Sequence, residues 1–234
     1  MFLRLNEYKV LFLRIFLAYV FYFLARVLFY FYNSEIIIIE GFYEFINLSV
    51  IGLTFDTSAI LYVNSLFIIL SILPLKKISS QKNQSLLLYL YFITNSIAYA
   101  TNFFDFIYYK FSQSRLTTTI FDVIENETNK LDLLSSFLFD YWHVYLLFFL
   151  LLFMWIFLYK KITIKPLLYQ SKKSYYLISF FWFLIIVFIC VVGMRGGLGN
   201  SSRPINMVDA HRFVTKGYHA DLVLNSPFCL IRTY

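Results

Sequence analysis

The chain has 234 residues, of which 60% are hydrophobic, 22% aromatic and only 14% charged. Soluble domains carry about 25% charged residues, and a soluble fold of this length would leave much of this apolar surface exposed. The composition therefore excludes a soluble enzyme domain, a disordered chain and a secreted disulfide scaffold. The net charge of +7 comes from basic residues scattered between apolar runs, a pattern typical of membrane topology and not of nucleic-acid binding.

A helix that crosses a bilayer core of about 30 Å needs about 20 apolar residues. The first apolar run is too long for a cleavable signal peptide, and no small-residue cleavage site follows it. We predict an all-α membrane protein in which residues 1–194 form a transmembrane domain of five helices and residues 195–234 form an extracytoplasmic tail. The five predicted spans are about 8–32, 57–75, 85–107, 138–159 and 174–194.

Lysine and arginine are unevenly distributed among the connecting segments. The N-terminal stub and the loops after the second and fourth spans hold ten basic residues and one acidic residue, Glu7. The connection between the first and second spans has four acidic residues and no basic one. The connection between the third and fourth spans has three basic and four acidic residues. Because basic loops stay in the cytoplasm, we predict a multi-pass membrane protein with a cytoplasmic N-terminus and residues 195–234 outside the cytoplasm.

Two of the predicted outer connections contain apolar patterns of their own. Residues 36–53 are apolar but interrupted by two glutamates and a glycine. They fit either a helix lying in the outer interface or an extension of the neighbouring spans. Residues 117–136 begin with a threonine cluster and then place apolar residues among acids. This pattern predicts a short, capped amphipathic helix on the membrane surface.

The tail is too short to form an independent domain without disulfides or a metal. It nevertheless contains two apolar stretches, 220–224 and 227–231, which we interpret as a docking strip for a missing domain. Its histidines, His211 and His219, are predicted to lie in solvent, and we expect no metal or other cofactor in this chain.

Charged residues inside a bilayer are costly and need partners. Arg14 lies near the predicted cytoplasmic end of the first span, and we expect it to reach the aqueous interface. By topology, several other polar residues fall at the level of the outer leaflet. They could bind a phospholipid phosphate or glycerol head group, or they could form a structural ion pair, Arg26–Asp56 or Arg26–Asp105. The candidate head-group residues are Arg26, Asp56, Asn102, Asp105, Asp140 and His143.

The second and third spans also carry amides in their interiors, Asn64 and Asn95. Such amides usually form hydrogen bonds between helices. The spans lack the internal glycine and proline breaks that are typical of transporters. We therefore interpret these amides as helix-packing groups and not as part of a transport path.

Five short sequences resemble, in order, the membrane domain of the lipoteichoic-acid-synthase-like, sulfatase-fold transferases of bacteria. The first, GLTFDTSAILYVNSLFIILSILP, contains a Phe-Asp-x-Ser-Ala step followed by an apolar run that ends in Leu-Pro. Together the five cover most of residues 52–233. The remaining four are NSIAYATNFFDFIYYKFSQSRLTTTIFDVI, FLFDYWHVYLLF, RGGLGNSSRPINMVDA and LVLNSPFCLIRT.

The resemblance implies five membrane helices followed by a large extracytoplasmic domain of the alkaline-phosphatase superfamily. That domain binds a divalent metal and uses a Thr or Ser nucleophile to take a head group from a lipid. The present chain ends at Tyr234, where the linker would lead into that domain, so the family's catalytic residues have no counterparts here. The resemblance also implies a location in the bacterial cytoplasmic membrane, and the implied partners are membrane lipids and an extracytoplasmic catalytic domain or protein.

Three functions follow from these observations. The first is a membrane-anchoring, lipid-presenting domain of a phosphoglycerol- or phosphoethanolamine-type transferase or hydrolase. The second is a free-standing scaffold that recruits an extracytoplasmic protein through its tail. The third is a small transporter.

Overall fold

The computed structural model describes residues 5–73, 80–126, 139–163, 172–199 and 203–234. All regular secondary structure within these ranges is helical, as predicted. The helices are α1 (Leu5–Tyr32), α2 (Phe42–Val63), α3 (Ser65–Ile72), α4 (Gln81–Ser112), α5 (Thr119–Asn126), α6 (Trp142–Lys161), α7 (Lys172–Arg195), α8 (Met207–Ala210), α9 (Gly217–Val223) and α10 (Ser226–Thr233).

Four of the described helices are long and apolar enough to cross a membrane, which fits a membrane-associated protein. The third predicted span, 85–107, lies within α4, which is long enough but more polar than these four. The count of five spans therefore stays a prediction. The four helices comprise Asn6–Tyr32, Phe42–Val63, Trp142–Lys161 and Tyr176–Arg195.

The second predicted span has the wrong boundaries. The sequence predicted one helix over 57–75, but α2 already begins at Phe42 and ends at Val63. Asn64 then interrupts the helix before α3 continues from Ser65 to Ile72. Residues 42–53 thus extend the neighbouring helix, which is the second of the two interpretations left open for that stretch. The break occurs where the Asn64 side chain bonds to another helix.

That bond confirms the predicted role of the interior amides. The Asn64 amide donates to Asn95 Oδ1 at 3.1 Å, and the Asn95 amide donates back to Asn64 Oδ1 at 2.7 Å. Both side chains are fully buried. Because each amide satisfies the other, the pair joins α2–α3 to α4 without exposing a polar group to apolar surroundings.

Aromatic side chains pack α1, α4 and α6 together. The rings of Phe21 and Trp155 are nearly parallel, 4.5 Å apart, and Tyr99 meets Trp155 edge-on at 5.3 Å. The Trp155 indole N–H donates to the Tyr91 hydroxyl at 3.1 Å. That hydroxyl in turn donates to the Arg14 carbonyl at 2.9 Å. The buried polar atoms of Trp155 and Tyr91 are therefore paired, as burial requires.

The sequence predicted that Arg14 reaches the aqueous interface, but its side chain is buried in the helical bundle. Its residue surface is 6% exposed, and it donates to Gln84 Oε1 at 3.0 Å and to the Ile162 carbonyl at 3.2 Å. The guanidinium also lies over the Tyr159 ring, 4.3 Å from its centre. These partners replace water, so the arginine stays inside the bundle.

Helix α7 packs mainly on α2. Ser58 donates a hydrogen bond to the Met194 carbonyl at 2.8 Å. Gly193 lies directly against the Leu61 side chain, so a Cβ at this position would require that side chain to shift. Between Tyr176 and Val191, α7 exposes nine large apolar side chains, so this surface is suited to contact with lipid.

The predicted amphipathic helix in 117–136 is confirmed in part. Helix α5 occupies Thr119–Asn126, and Ile120 is buried while the next six residues are exposed. Residues 127–138 lie outside the described part of the chain.

The described part of the tail is folded against the bundle and is not the solvated segment that the sequence predicted. This part, 203–234, folds into α8, α9 and α10. Helices α9 and α10 pack on α1, α2 and α4, and α8 packs on α9. Both apolar stretches lie mostly within the protein: Leu222, Val223 and Phe228 are at most 1% exposed. The docking strip expected for a missing domain is thus covered by the chain's own helices.

Candidate functional site: a buried arginine–aspartate cluster

Two arginines and two aspartates lie close together where α9 and α10 meet the helical bundle. Arg26 lies on α1, Asp56 on α2 and Asp105 on α4, whereas Arg115 follows α4 by three residues. Helices α1 and α4 run parallel, so their C-terminal ends reach the same level. Three contacting pairs at increasing positions show this direction: Arg14–Tyr91, Phe21–Tyr99 and Phe29–Phe106.

Arg26 and Asp56 form a bidentate ion pair. Arg26 Nη1 lies 2.6 Å from Asp56 Oδ2, and Nη2 lies 2.7 Å from Oδ1. Arg26 also donates from Nε to the Leu222 carbonyl and from Nη2 to the Val223 carbonyl, both at 3.0 Å. Every guanidinium nitrogen is therefore bonded, and Arg26 is only 3% exposed. The ion-pair alternative is confirmed for Arg26–Asp56.

Arg115 binds the same tail segment as Arg26, through one bond to a carboxylate and two bonds to carbonyls. Its Nη1 lies 2.8 Å from Asp105 Oδ2, so Asp105 pairs with Arg115 and the alternative Arg26–Asp105 pair is wrong. Nε donates to the Asp221 carbonyl and Nη2 to the Leu224 carbonyl, both at 2.6 Å. The guanidinium also lies 3.5 Å from the centre of the Phe29 ring.

The start of α10 completes the cluster. Asn225 caps the helix by accepting from the Phe228 N–H at 2.8 Å, and its amide donates to Asp56 Oδ1 at 2.8 Å. Ser226 donates from its hydroxyl to Asp105 Oδ2 at 2.7 Å, and its N–H donates to Asn102 Oδ1 at 3.3 Å. The start of α10 thus contacts both aspartates and the Asn102 amide.

Further contacts surround the cluster. Asp221 accepts from the Tyr109 hydroxyl at 2.9 Å, and burial raises the pKa of this aspartate above its usual range. His219, predicted to be solvated, is 3% exposed and lies 3.1 Å from the Ile38 carbonyl. At the surface, Lys216 pairs with Glu40 at 3.0 Å. The tail is therefore attached along most of its described length.

Two of the six candidate head-group residues lie elsewhere. Asp140 is exposed just before α6. His143 is also exposed, and its Nε2 lies 2.6 Å from the Tyr32 hydroxyl. These two rings border an apolar cavity of about 160 Å³ between α1, α4 and α6. The other four residues (Arg26, Asp56, Asn102 and Asp105) all contact one another or the tail.

Chemically, the cluster functions as an attachment site for the tail. Both guanidinium groups use their donors on a carboxylate and on tail carbonyls, so a lipid phosphate would reach Arg26 only after the tail moves. Among the described residues, no three His, Cys, Asp or Glu side chains come together as a metal site would require.

The importance of Arg115 was missed by sequence reasoning, which counted it only as a loop charge. Asp105, ten residues earlier in the chain, was an available signal, because a buried aspartate needs a cation within reach. Asn225-Ser226-Pro227 is likewise a recognisable helix start, with a capping residue and an early proline. It predicts a folded tail.

Comparison of this chain with family models, with curated proteins and with solved structures finds no match.

Proposed function

We propose that this chain is the membrane-anchoring and lipid-presenting domain of a sulfatase-like transferase or hydrolase that acts on phospholipid head groups. The family resemblance supports the head-group chemistry, and the docked tail supports the anchoring role. The apolar helices hold the chain in the membrane, and the exposed apolar faces of α6 and α7 provide contact with lipid.

The observation that carries the proposal is the docking of 219–233 on two buried arginine–aspartate pairs. An enzyme that draws its substrate from a bilayer needs its catalytic part held at a fixed height and orientation above the lipid. A flexible tail would not provide this, whereas a tail bound by Arg26 and Arg115 on opposite sides of one turn does. The cluster would orient whatever extracytoplasmic part acts with this chain.

The two other functions receive less support. The scaffold hypothesis used the tail as a partner surface, but the apolar side chains of that surface are buried within this chain. The transporter hypothesis needs polar groups open to water along the second and third spans. Asn64 and Asn95 instead bond to each other and are fully buried.

The test is genetic and chemical. The gene is deleted in its bacterial host, and membrane lipids and envelope polymers are compared by mass spectrometry for phosphoglycerol- and phosphoethanolamine-type substituents. We expect one substituted species to disappear and to return with the wild-type gene. A profile unchanged by the deletion would contradict the proposal.

Variants of the cluster connect the structure to this activity. Arg26→Lys keeps the charge but cannot form the bidentate pair and both carbonyl bonds, so we expect partial complementation at normal protein abundance in the membrane. Lys160→Arg, at the far end of α6, serves as the matched control and should complement fully. Full complementation by Arg26→Lys and by Arg26→Ala would show that tail docking is unrelated to function.

A further inference from the structure

The apolar cavity beside His143 shares no lining residue with the arginine–aspartate cluster. It has a volume of about 160 Å³ and lies near the ends of α1 and α4 and the start of α6. Two of its lining side chains, Phe106 and Val144, are buried, at 1% and 2% exposure. The other apolar residues that line it within the described part of the chain are Leu28, Phe31 and Leu147.

The size and lining of this cavity suit an apolar guest. An apolar cavity of about 150 Å³ stays dry and accepts a guest as large as benzene. Helices α1 and α6 supply six of the seven described lining residues, and both helices are long and apolar enough to cross a membrane. In a bilayer, a cavity between two such helices opens onto hydrocarbon, so the available guest is the acyl chain of a lipid.

Three polar side chains meet at the edge of the cavity, one from each of the three helices. The Tyr32 hydroxyl of α1 lies 2.6 Å from Nε2 of His143 on α6, and the two rings stack with their centres 5.9 Å apart. The Nζ atom of Lys110, in the last turn of α4, lies 4.4 Å from the centre of the Tyr32 ring. Both Lys110 and His143 are exposed, so they can contact a group outside the bundle.

This polar edge suits the phosphate of a lipid head group. The Lys110 ammonium is a compact positive charge with three donors, which binds phosphate oxygens well. When Tyr32 donates its hydroxyl proton to Nε2, the neutral His143 ring carries its own proton on Nδ1 and offers a further donor. An acyl chain gains no hydrophobic free energy by moving from lipid to protein, so the head-group contact decides which lipid stays bound.

We propose that this cavity, which we call the acyl site, holds one acyl chain of an anionic phospholipid whose phosphate contacts Lys110 and His143. The sequence predicted a head-group role for His143, and the acyl site gives it that role. The tail carbonyls occupy Arg26, so the lipid is held on a different face of α1. The site rests on the proposed function and extends it, because it names where the presented lipid is bound.

The experiment measures lipid binding to the purified full chain. The chain is placed in nanodiscs that contain equal amounts of phosphatidylglycerol and phosphatidylcholine, and the lipid that stays bound after mild detergent transfer is counted by native mass spectrometry. Two variants fill the cavity from different helices, Leu147→Trp from α6 and Leu28→Phe from α1. A third variant, Lys110→Gln, removes the positive charge at the edge.

Each kind of variant has a matched control. Leu146→Trp makes the same enlargement on the same helix, at a side chain that is 55% exposed and does not line the cavity. Lys161→Gln removes a lysine whose Nζ also lies over an aromatic ring, 4.3 Å from the centre of Phe157, at the other end of α6. Helix content and the protection of Cys229 from thiol labelling verify that each variant is folded.

We expect the wild type and both controls to retain phosphatidylglycerol in preference to phosphatidylcholine. The two filling variants should lose the bound lipid, and Lys110→Gln should weaken the preference about fivefold, the effect of one cation near a membrane surface. Retention equal to wild type in the filling variants, the result expected if another part of the chain fills the cavity, would overturn the proposal, as would an unchanged preference in Lys110→Gln. Because no head-group transfer is measured, failure here is distinct from failure of the gene-deletion test.

Discussion

Removal of Arg115 should release the tail from the helical bundle. In Arg115→Met, the Asp105 carboxylate loses its cation, and the Asp221 and Leu224 carbonyls lose their donors. Removing one member of a buried ion pair costs about 3–5 kcal/mol. Since about 1.4 kcal/mol is a factor of ten, the undocked fraction should rise about 10²-fold to about 4 × 10³-fold, up to complete undocking.

The chain contains its own reporter for this equilibrium. Cys229 lies on α10 and is fully buried, and burial raises the pKa of its thiol, so the docked form reacts slowly with maleimides. The second cysteine, Cys190, is replaced by alanine so that one thiol remains. When opening is fast compared with labelling, the labelling rate is proportional to the undocked fraction.

Two further variants make the result specific. Arg212→Met makes the same substitution at an arginine whose side chain is 66% exposed, and its labelling rate should stay near wild type. Arg115→Met/Asp105→Leu also removes the unpaired carboxylate, so its rate should fall below that of the single variant. A labelling rate in Arg115→Met within threefold of wild type, with helix content unchanged by circular dichroism, would refute the reasoning.

Of three other predictions, two use the same labelling assay and one uses the thermal midpoint. Gly52→Ala places a Cβ 2.6 Å from the Arg26 guanidinium, which four hydrogen bonds hold in place, so docking of the tail should weaken by about 1–3 kcal/mol. The control, Gly217→Ala, places its Cβ with nothing within 4 Å and should label like wild type. Asn64→Leu should lower the thermal midpoint because it leaves the buried Asn95 Oδ1 without its donor, at a cost of about 1–3 kcal/mol. Replacing both asparagines by leucine should recover part of the loss. Lys216 lowers the pKa of Glu40. The stabilisation from this pair is therefore present above the unfolded pKa of about 4.3 and is lost as pH falls through the lower folded pKa. Labelling of Cys229 should accelerate over that acidic range in wild type and less in Glu40→Gln.

The features that the sequence predicts correctly depend on local patterns. Apolar runs predict the helices that are long enough to cross a membrane, and the cost of charge in an apolar environment predicts that Arg26 has a buried carboxylate partner. Asn64 and Asn95 were expected to bond between helices for the same reason, and they do. These inferences need only the composition of a segment and its place along the chain.

The features that it misses depend on contacts between distant segments. The apolar residues of α9 and α10 predict a buried surface but not which surface covers them, and the chain's own helices do so. The partner of Asp105 is Arg115 because the chain folds back after α4, a turn that topology counting does not describe. The start of α2 at Phe42 was ambiguous because two glutamates and Gly41 obscure its first turn.

The long reach of the tail contacts has a consequence for biosynthesis. The bond from Arg26 to the Leu222 carbonyl joins residues 196 positions apart. Arg26 and Arg115 must therefore remain without their carbonyl partners until nearly all of the described residues have been translated. During this interval the intermediate presents two incompletely bonded ion pairs and an uncovered apolar groove, and both are features that quality-control proteases and chaperones recognise. Docking of the tail is then the step that hides both features.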